Sequence, residues 1–133
     1  MNLQLAPGVL EQVIQDAKLA YPRESCGVLV GRGTAERFIS VPNVAASSSD
    51  YEMDPAELIA AFRGLRQSGE QLLAIYHSHP QGPAELSKKD IEQAYYPEAA
   101  QLVISLVDPE HPHCAAFRII DGRILAIEVH AIV

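Results

Sequence analysis

The feature that most constrains the fold is an apolar run, residues 72–76, that leads directly into His77-Ser78-His79-Pro80. A short apolar run of this kind is typical of a buried β-strand. Side chains alternate between the two faces of a strand, so His77 and His79 are expected on the same face. Pro80 cannot donate to a strand ladder and ends the strand. Two imidazoles at the end of a strand would form half of a zinc site.

The rest of the chain interleaves helical and strand patterns. Apolar residues at helical spacing predict a helix over about residues 7–20. Asp54-Pro55-Ala56-Glu57 has the capping residue, the early proline and the third-position acid of a second helix start. A polar, serine-rich stretch, 42–51, predicts an exposed loop, and a short third helix is expected over 87–95. Strands are expected over 26–30, 37–41, 102–107, 115–120 and 124–129. This order indicates an α/β or α+β class, with a mixed sheet covered by helices.

Composition limits the possible partners and the cellular location. The 133 residues correspond to a single domain, 1–133, and 48% of them are hydrophobic. A net charge of −7 argues against nucleic-acid binding, which depends on clustered Lys and Arg. No signal peptide is expected, and no apolar stretch of the sequence is long enough to span a bilayer. Cys26 and Cys114 form no CxxC pair, so two thiols are expected rather than a disulfide. We therefore expect a cytoplasmic protein.

A second motif follows the histidines at a fixed distance. Ser87 and Asp90 are three residues apart at a predicted helix start and so lie on one helix face. If the intervening loop folds back, Asp90 can be the third, oxygen ligand, and three protein ligands plus water is the pattern of catalytic zinc. Each motif has another interpretation when it is taken alone. Paired histidines are common on surfaces, and Ser-x-x-Asp is also a helix-capping motif, so Ser87 would then only cap its helix.

Together the two motifs, His77-x-His79-Pro80 and Ser87-x-x-Asp90, resemble the signature of the JAMM metalloproteases, also called the MPN+ or JAB-domain family. Residues 22–31, PRESCGVLVG, resemble the upstream element that carries the family glutamate, here Glu24. The resemblance covers nearly the whole chain and is closest to the small, free-standing prokaryotic members. It implies an α/β fold with a mixed, curved sheet flanked by helices, similar to cytidine deaminases.

The resemblance also implies the chemistry. His77, His79 and Asp90 would be the ligands of one zinc ion per chain, Glu24 the general acid/base, and Ser87 the donor to the polarised carbonyl. The expected activity is peptidase or isopeptidase cleavage after the C-terminal Gly-Gly of a ubiquitin-like or sulfur-carrier β-grasp protein. Neither nucleic acid nor membrane is an expected partner, and a homodimer is possible. A non-catalytic MPN-type scaffold and a zinc hydrolase of a small-molecule amide remain as alternatives.

Other chemistry-bearing residues have simpler interpretations. His111-Pro112-His113 follows a predicted turn and is expected on the surface, because proline interrupts a regular strand. Cys26 is expected to be a small buried thiol. The acids Asp50, Glu52 and Glu85 are expected to be solvated. The deaminase signature H-x-E with P-C-x-x-C does not occur in the sequence.

Overall fold

The computed structural model describes residues 2–47 and 49–133, so Ser48 of the predicted serine-rich loop lies outside the described residues. The described part contains seven strands and three helices. In chain order they are β1 (Asn2–Leu5), α1 (Val9–Ala20), β2 (Cys26–Arg32), β3 (Thr34–Val41), α2 (Pro55–Ser68), β4 (Gln71–His79), α3 (Lys88–Glu92), β5 (Ala100–Ser105), β6 (His113–Ile120) and β7 (Arg123–Ala131).

All seven strands belong to one mixed sheet that closes on itself in the order β1-β3-β2-β4-β5-β6-β7. The ring closes where β1 pairs in parallel with β7, in the register Asn2↔Glu128 to Leu5↔Ala131. The pairs β4–β5 and β1–β3 are also parallel, whereas the β2–β3, β2–β4, β5–β6 and β6–β7 pairs are antiparallel. The prediction of an α/β fold with a mixed, curved sheet is confirmed, and the curvature continues as far as a closed barrel.

The central strands are buried on both faces, which explains their nearly continuous apolar sequence. One face of β2 and β4, including Leu29 and Tyr76, packs with the buried residues Val13 and Ala17 of α1. The other face, including Val28, Val30 and Ile75, packs against Leu65 of α2 and its neighbours. The histidine strand is therefore fixed between two apolar layers, and it reaches the surface only at its two ends, Gln71 and His79.

Several elements differ from the sequence predictions. The first strand was missed, because Leu5 continues the helical apolar spacing of α1 although it lies in β1. The third helix ends at Glu92 instead of Tyr95. Strand β5 spans Ala100–Ser105, whereas the predicted strand spans 102–107. The predicted start of α2 is confirmed, since the Asp54 carboxylate accepts hydrogen bonds from the backbone of Ala56 and Glu57.

Gly31 sits where strand β3 approaches β2 too closely for a side chain. A Cβ atom at this position would overlap the carbonyl oxygen of Thr34 and lie 2.9 Å from the backbone nitrogen of Glu36. We expect Gly31→Ala to lower the free energy of unfolding by about 1–3 kcal/mol, because backbone must shift to admit the methyl group. Urea denaturation would measure the loss.

Gly64 provides the matched control for this substitution. It lies inside helix α2, and a Cβ at this position would have no neighbour within 4 Å. Gly64→Ala should therefore raise stability by roughly 0.5–1 kcal/mol, the usual gain in a helix interior. Equal effects of the two substitutions would contradict the steric explanation for Gly31.

Two further observations bear on the surroundings in which the chain folds. Within the described residues, no helix combines the length and the apolar character needed to cross a membrane. Cys26 and Cys114 are both free thiols, as expected from their spacing.

Candidate active site

The topology of the sheet brings Glu24 to the histidines. Strands β2 and β4 are antiparallel, with Cys26 opposite His77, so the start of β2 lies beside the end of β4. The Ser78 backbone N–H donates to the Ser25 carbonyl over 3.0 Å, which extends the pairing just before β2 begins. Glu24, 53 positions before His77 in the chain, is thereby held next to the His77-Ser78-His79 segment.

Three donor atoms of the predicted zinc ligands converge at this strand end. Nε2 of His77 and Nε2 of His79 are 3.0 Å apart. Oδ2 of Asp90 lies 3.1 Å from the first nitrogen and 3.3 Å from the second. Zinc–nitrogen and zinc–oxygen distances of about 2.0–2.2 Å place the corners of a tetrahedral site about 3.3 Å apart. The three atoms thus have the spacing that one small tetrahedral ion requires.

The tautomer of His79 suits a metal ligand. Its Nδ1 donates to the carbonyl oxygen of Pro83 over 2.9 Å, so the lone pair resides on Nε2. The loop that supplies this carbonyl is itself tied to β5, because the Ser105 hydroxyl donates to the Gly82 carbonyl over 2.6 Å. A hydrogen bond to the distal ring nitrogen is how most metal-ligating histidines are oriented.

Asp90 is oriented by the first turn of α3. Its backbone N–H donates to the Ser87 hydroxyl oxygen over 3.1 Å, and its Oδ2 accepts from the Ser87 backbone N–H over 2.9 Å. These reciprocal bonds form a capping box. Ser87 therefore caps α3 in this structure, and the same capping box directs the Asp90 carboxylate toward the two imidazoles.

Burial and mutual contacts set the charge states of the metal-free cluster. Burial lowers the pKa of His77, whose side chain is fully enclosed. Burial alone would also lower the pKa of His79, but hydrogen bonds with Asp90 and the Pro83 carbonyl raise it above its ordinary value. Although burial acts to raise the pKa of Asp90, hydrogen bonds from both histidines hold it well below its usual range. The cluster is thus an anionic carboxylate facing two nitrogens, which suits a cation.

Glu24 approaches the histidines from the side of β2. It is only 7% exposed, and a carboxylate oxygen lies with donor atoms of His77 and His79 in a group spanning no more than 4.8 Å. Burial, together with the Asp90 and Asp50 carboxylates, raises the pKa of Glu24 to about 7 against the lowering effects of His79 and Lys89. Glu24, His77 and His79 can together hold a metal ion. The Glu24 carboxylate can also exchange a proton near neutral pH.

Buried hydroxyl groups behind the cluster were not identified from the sequence. The Ser78 hydroxyl oxygen accepts from the Ser25 backbone N–H over 2.8 Å, and the Ser25 and Ser78 hydroxyls are 3.1 Å apart. The Tyr76 hydroxyl is hydrogen-bonded to the same Ser25 hydroxyl. These contacts fix the segment that carries Glu24 against the strand that carries the histidines. The signal for Ser78 in the sequence was strand alternation, which places its side chain on the opposite face of β4 from His77 and His79.

Tyr51 was also missed, since the sequence predicts an exposed loop at 42–51. Its ring stacks on the imidazole of His77, with centroids 4.5 Å apart and an angle of 17° between the planes. Its neighbour Asp50, expected to be solvated, forms an ion pair with Lys89 of α3 over 2.8 Å. This contact corrects the expectation for Asp50, because α3 folds back across the loop.

Two cavities adjoin the cluster. One, of about 480 Å³, is lined by Glu24, His79 and Ser87 together with the loop of residues 80–86. The other, of about 490 Å³, is lined by Tyr51, Lys89 and Gln101 among others and lies against the α2 side of the sheet. The first cavity gives direct access to Glu24, His79 and Ser87.

The remaining candidates make other contacts. His111 pairs with Asp108 over 3.1 Å on the surface, and His113 is exposed at the start of β6. The Cys26 thiol is buried and donates to the Val41 carbonyl over 3.3 Å. Burial, with the nearby Asp16 and Glu24 carboxylates, raises its pKa to about 12, so it remains a neutral thiol.

Comparison with known proteins adds to this geometry. The profile of a family described as prokaryotic homologs of the JAB domain matches residues 6–120. A probable TtuB-protein conjugate cleaving protease from Thermus thermophilus is 42% identical over 93 residues, which are 69% of this chain and 63% of that protein. A CysO-cysteine peptidase from Mycobacterium tuberculosis is 29% identical over 98% of this chain and 91% of that protein. The chain thus spans less than two thirds of the Thermus relative and most of the mycobacterial one.

Solved structures show the same fold. A protein from Desulfitobacterium hafniense superimposes with a TM-score of 0.88 at 32% identity, covering 99% of this chain and 93% of that one. A JAB1/MPN domain protein from Archaeoglobus fulgidus superimposes with a TM-score of 0.63 at 18% identity, covering 96% and 99%. The second comparison, at this low identity, supports the fold alone.

Proposed function

Because this chain belongs to the family of prokaryotic homologs of the JAB domain, we propose that it is a zinc-dependent peptidase acting on a ubiquitin-like or sulfur-carrier protein. The bond cleaved would be the amide that follows the C-terminal Gly-Gly of that carrier. The observation that carries the proposal is the convergence of two imidazole nitrogens and one carboxylate oxygen within 3.0–3.3 Å. We further propose that residues 1–133 act as a single domain.

The two carboxylates are suited to different roles. Oδ2 of Asp90 is at the ligand–ligand distance of a tetrahedral site, with His77 and His79 as the other two proposed ligands. Glu24 has a carboxylate oxygen within 4.8 Å of the donor nitrogens of both histidines, and its pKa is raised to about 7, which suits a proton acceptor beside the metal position. Two nitrogens, one oxygen and one position for water make up the donor set of catalytic zinc.

The residues of the chain would divide the proton and charge transfers between them. Zinc, when bound, supplies Lewis acidity that polarises a carbonyl and acidifies water. Glu24 accepts a proton from the attacking water and returns it to the leaving amine, a role typically worth about 10²–10⁴ in rate. The Ser87 hydroxyl, at the mouth of the same cavity, donates to the carbonyl oxygen as negative charge develops there.

The cavity beside Glu24 supports a thin, extended substrate. Pro80, Gly82 and Pro83 line it beside the polar side chains of Gln81 and Glu85, and the scissile end must enter between these residues to reach Glu24. A carrier ending in two glycines has the smallest side chains available for this approach. The net charge of −7 favours a carrier with a neutral or basic contact surface. Free thiols at Cys26 and Cys114 support a reducing compartment such as the cytoplasm.

The direct test uses a β-grasp carrier protein whose Gly-Gly terminus is extended by one amino acid. We expect purified protein to contain one zinc per chain by elemental analysis. Mass spectrometry should show the carrier shortened to Gly-Gly, and a chelator should stop the cleavage until zinc is restored. Protein with no zinc and no tight zinc affinity would contradict the enzymatic function and favour an interaction scaffold.

Ser87→Ala tests the second role proposed for this serine. We expect kcat to fall about 10²–10³-fold, the usual cost of one oxyanion donor, while zinc content is unchanged. The substitution also removes a helix cap, which costs about 1 kcal/mol of stability. Asp54→Ala is the matched control, because it removes the cap of α2 and leaves the metal site intact. Full activity of Ser87→Ala would reduce Ser87 to a capping residue.

A further inference from the structure

His77 lacks the hydrogen bond that usually orients a metal-ligating imidazole. Its Nε2 faces His79 and Asp90, but within residues 2–47 and 49–133 its buried Nδ1 has no hydrogen-bond partner. The corresponding nitrogen of His79 donates to the Pro83 carbonyl. The two histidines of the cluster are therefore held in different ways.

Strand geometry alone does not fix the orientation of the His77 ring. The torsion between Cβ and the ring of a histidine is broad and only weakly restricted. Metal binding needs the Nε2 lone pair to point at one position, so some contact must restrict this rotation. At its edge the ring contacts Asp90 through Nε2 and the His79 ring at 4.8 Å. The contact that covers a face of this fully enclosed ring is the stack with Tyr51, at 4.5 Å and 17°.

Tyr51 is itself well anchored. The Asn43 side chain donates to the carbonyl of Asp50 over 3.1 Å and accepts from the N–H of Glu52 over 3.0 Å, so both neighbours of Tyr51 are held. The same side chain donates to the Glu24 carbonyl over 2.8 Å. The ion pair of Asp50 with Lys89 then links this loop to the helix that carries Asp90.

We propose that Tyr51 is a positioning residue whose aromatic ring, by stacking on His77, takes the place of the missing hydrogen bond and pre-orients that imidazole for the metal. The inference rests on the proposed role of His77 as a zinc ligand. It assigns the effect to the ring and not to the hydroxyl. Tyr51 thus acts on metal affinity through His77 and is not itself a ligand.

The test compares Tyr51→Leu with Tyr51→Phe. We expect Tyr51→Leu to weaken zinc binding about tenfold, at the lower end of effects seen when support around a ligand is removed. Tyr51→Phe keeps the ring and should stay within about twofold of wild type. Chelator competition measures the affinity, and the visible absorption of the cobalt-substituted protein reports whether the ligand geometry changes.

Tyr96→Leu is the matched control. Tyr96 lines the same cavity, but its ring packs edge-on against Phe62 at 5.4 Å, away from the histidines. We expect this variant to lose stability and to keep wild-type zinc affinity and cobalt spectrum. An equal loss of affinity in Tyr96→Leu, or in Tyr51→Phe, would overturn the assignment to the Tyr51 ring.

A measurement on the wild-type protein covers the case in which Tyr51→Leu does not fold. In the metal-free protein, NMR should show nuclear Overhauser effects between the ring protons of Tyr51 and His77, and their lack would overturn the proposal. The outcomes are separable from those of the proposed function. Wild-type protein without zinc affinity contradicts the function, whereas tight zinc binding unaffected by Tyr51→Leu contradicts only the positioning role.

Discussion

Glu24→Gln is expected to lower hydrolysis by about 10²–10⁴ while leaving zinc bound at one ion per chain. Glutamine has nearly the same shape, but its amide cannot accept the proton of the attacking water. Activity of the wild-type enzyme should also fall as the pH drops below the pKa of Glu24, because the protonated acid cannot act as a base. The kcat/KM profile of Glu24→Gln should lack this acidic limb.

Glu24→Asp is the matched variant for this experiment. It keeps an ionisable carboxylate and withdraws it by one methylene group, so we expect activity between those of wild type and Glu24→Gln, with the acidic limb retained. Full turnover by Glu24→Gln on the true substrate would show that another group moves the proton. Loss of zinc from Glu24→Gln would instead identify Glu24 as a ligand.

Asp90→Ala is expected to abolish tight zinc binding, weakening it by roughly 10²-fold or more, since it removes one of the three proposed ligands and the only anionic one among them. Hydrolysis should fall with the metal, and added zinc should restore it only in part. The variant also loses the capping box of α3, so a drop in stability is expected as well. Zinc titration against a chelator measures the affinity apart from the stability.

Asp90→Asn separates these two effects. The amide keeps an oxygen that can accept the Ser87 N–H, so α3 should stay capped, but the negative charge facing both histidines is removed. We expect zinc affinity to fall nearly as far as in Asp90→Ala, with smaller loss of stability. If both Asp90 variants bound zinc as wild type does, the ligand and base roles of the two carboxylates would have to be exchanged.

Most of the metal cluster could be predicted because its spacing is local. Strand alternation places His77 and His79 on one face, and Asp90 follows His77 by only thirteen positions in the chain. Glu24 came from the resemblance to a family, since nothing in the local pattern distinguishes this acid from others. Its position depends on antiparallel pairing of β2 with β4, a contact between distant parts of the chain.

The role of Tyr51 and the strand β1 could not be predicted from the sequence. A polar segment with one aromatic residue reads as a loop, and the stack between Tyr51 and His77 leaves no periodic signal. Strand β1 has four residues, too few to outweigh the helical spacing that continues from Leu5 into α1. Its pairing partner β7 lies more than 120 residues later in the sequence, so no local sequence pattern predicts this pairing.

The pairing of β1 with β7 also determines when the closed sheet can form during synthesis of the chain. Contacts between Asn2–Leu5 and Glu128–Ala131 join segments more than 120 residues apart, so the ring cannot close until β7 has left the ribosome. Until then the edges of β1 and β6 present unpaired backbone groups, which are templates for aggregation. Long-range pairing of this kind also slows folding. The nascent chain should therefore depend on chaperones more than its small size suggests.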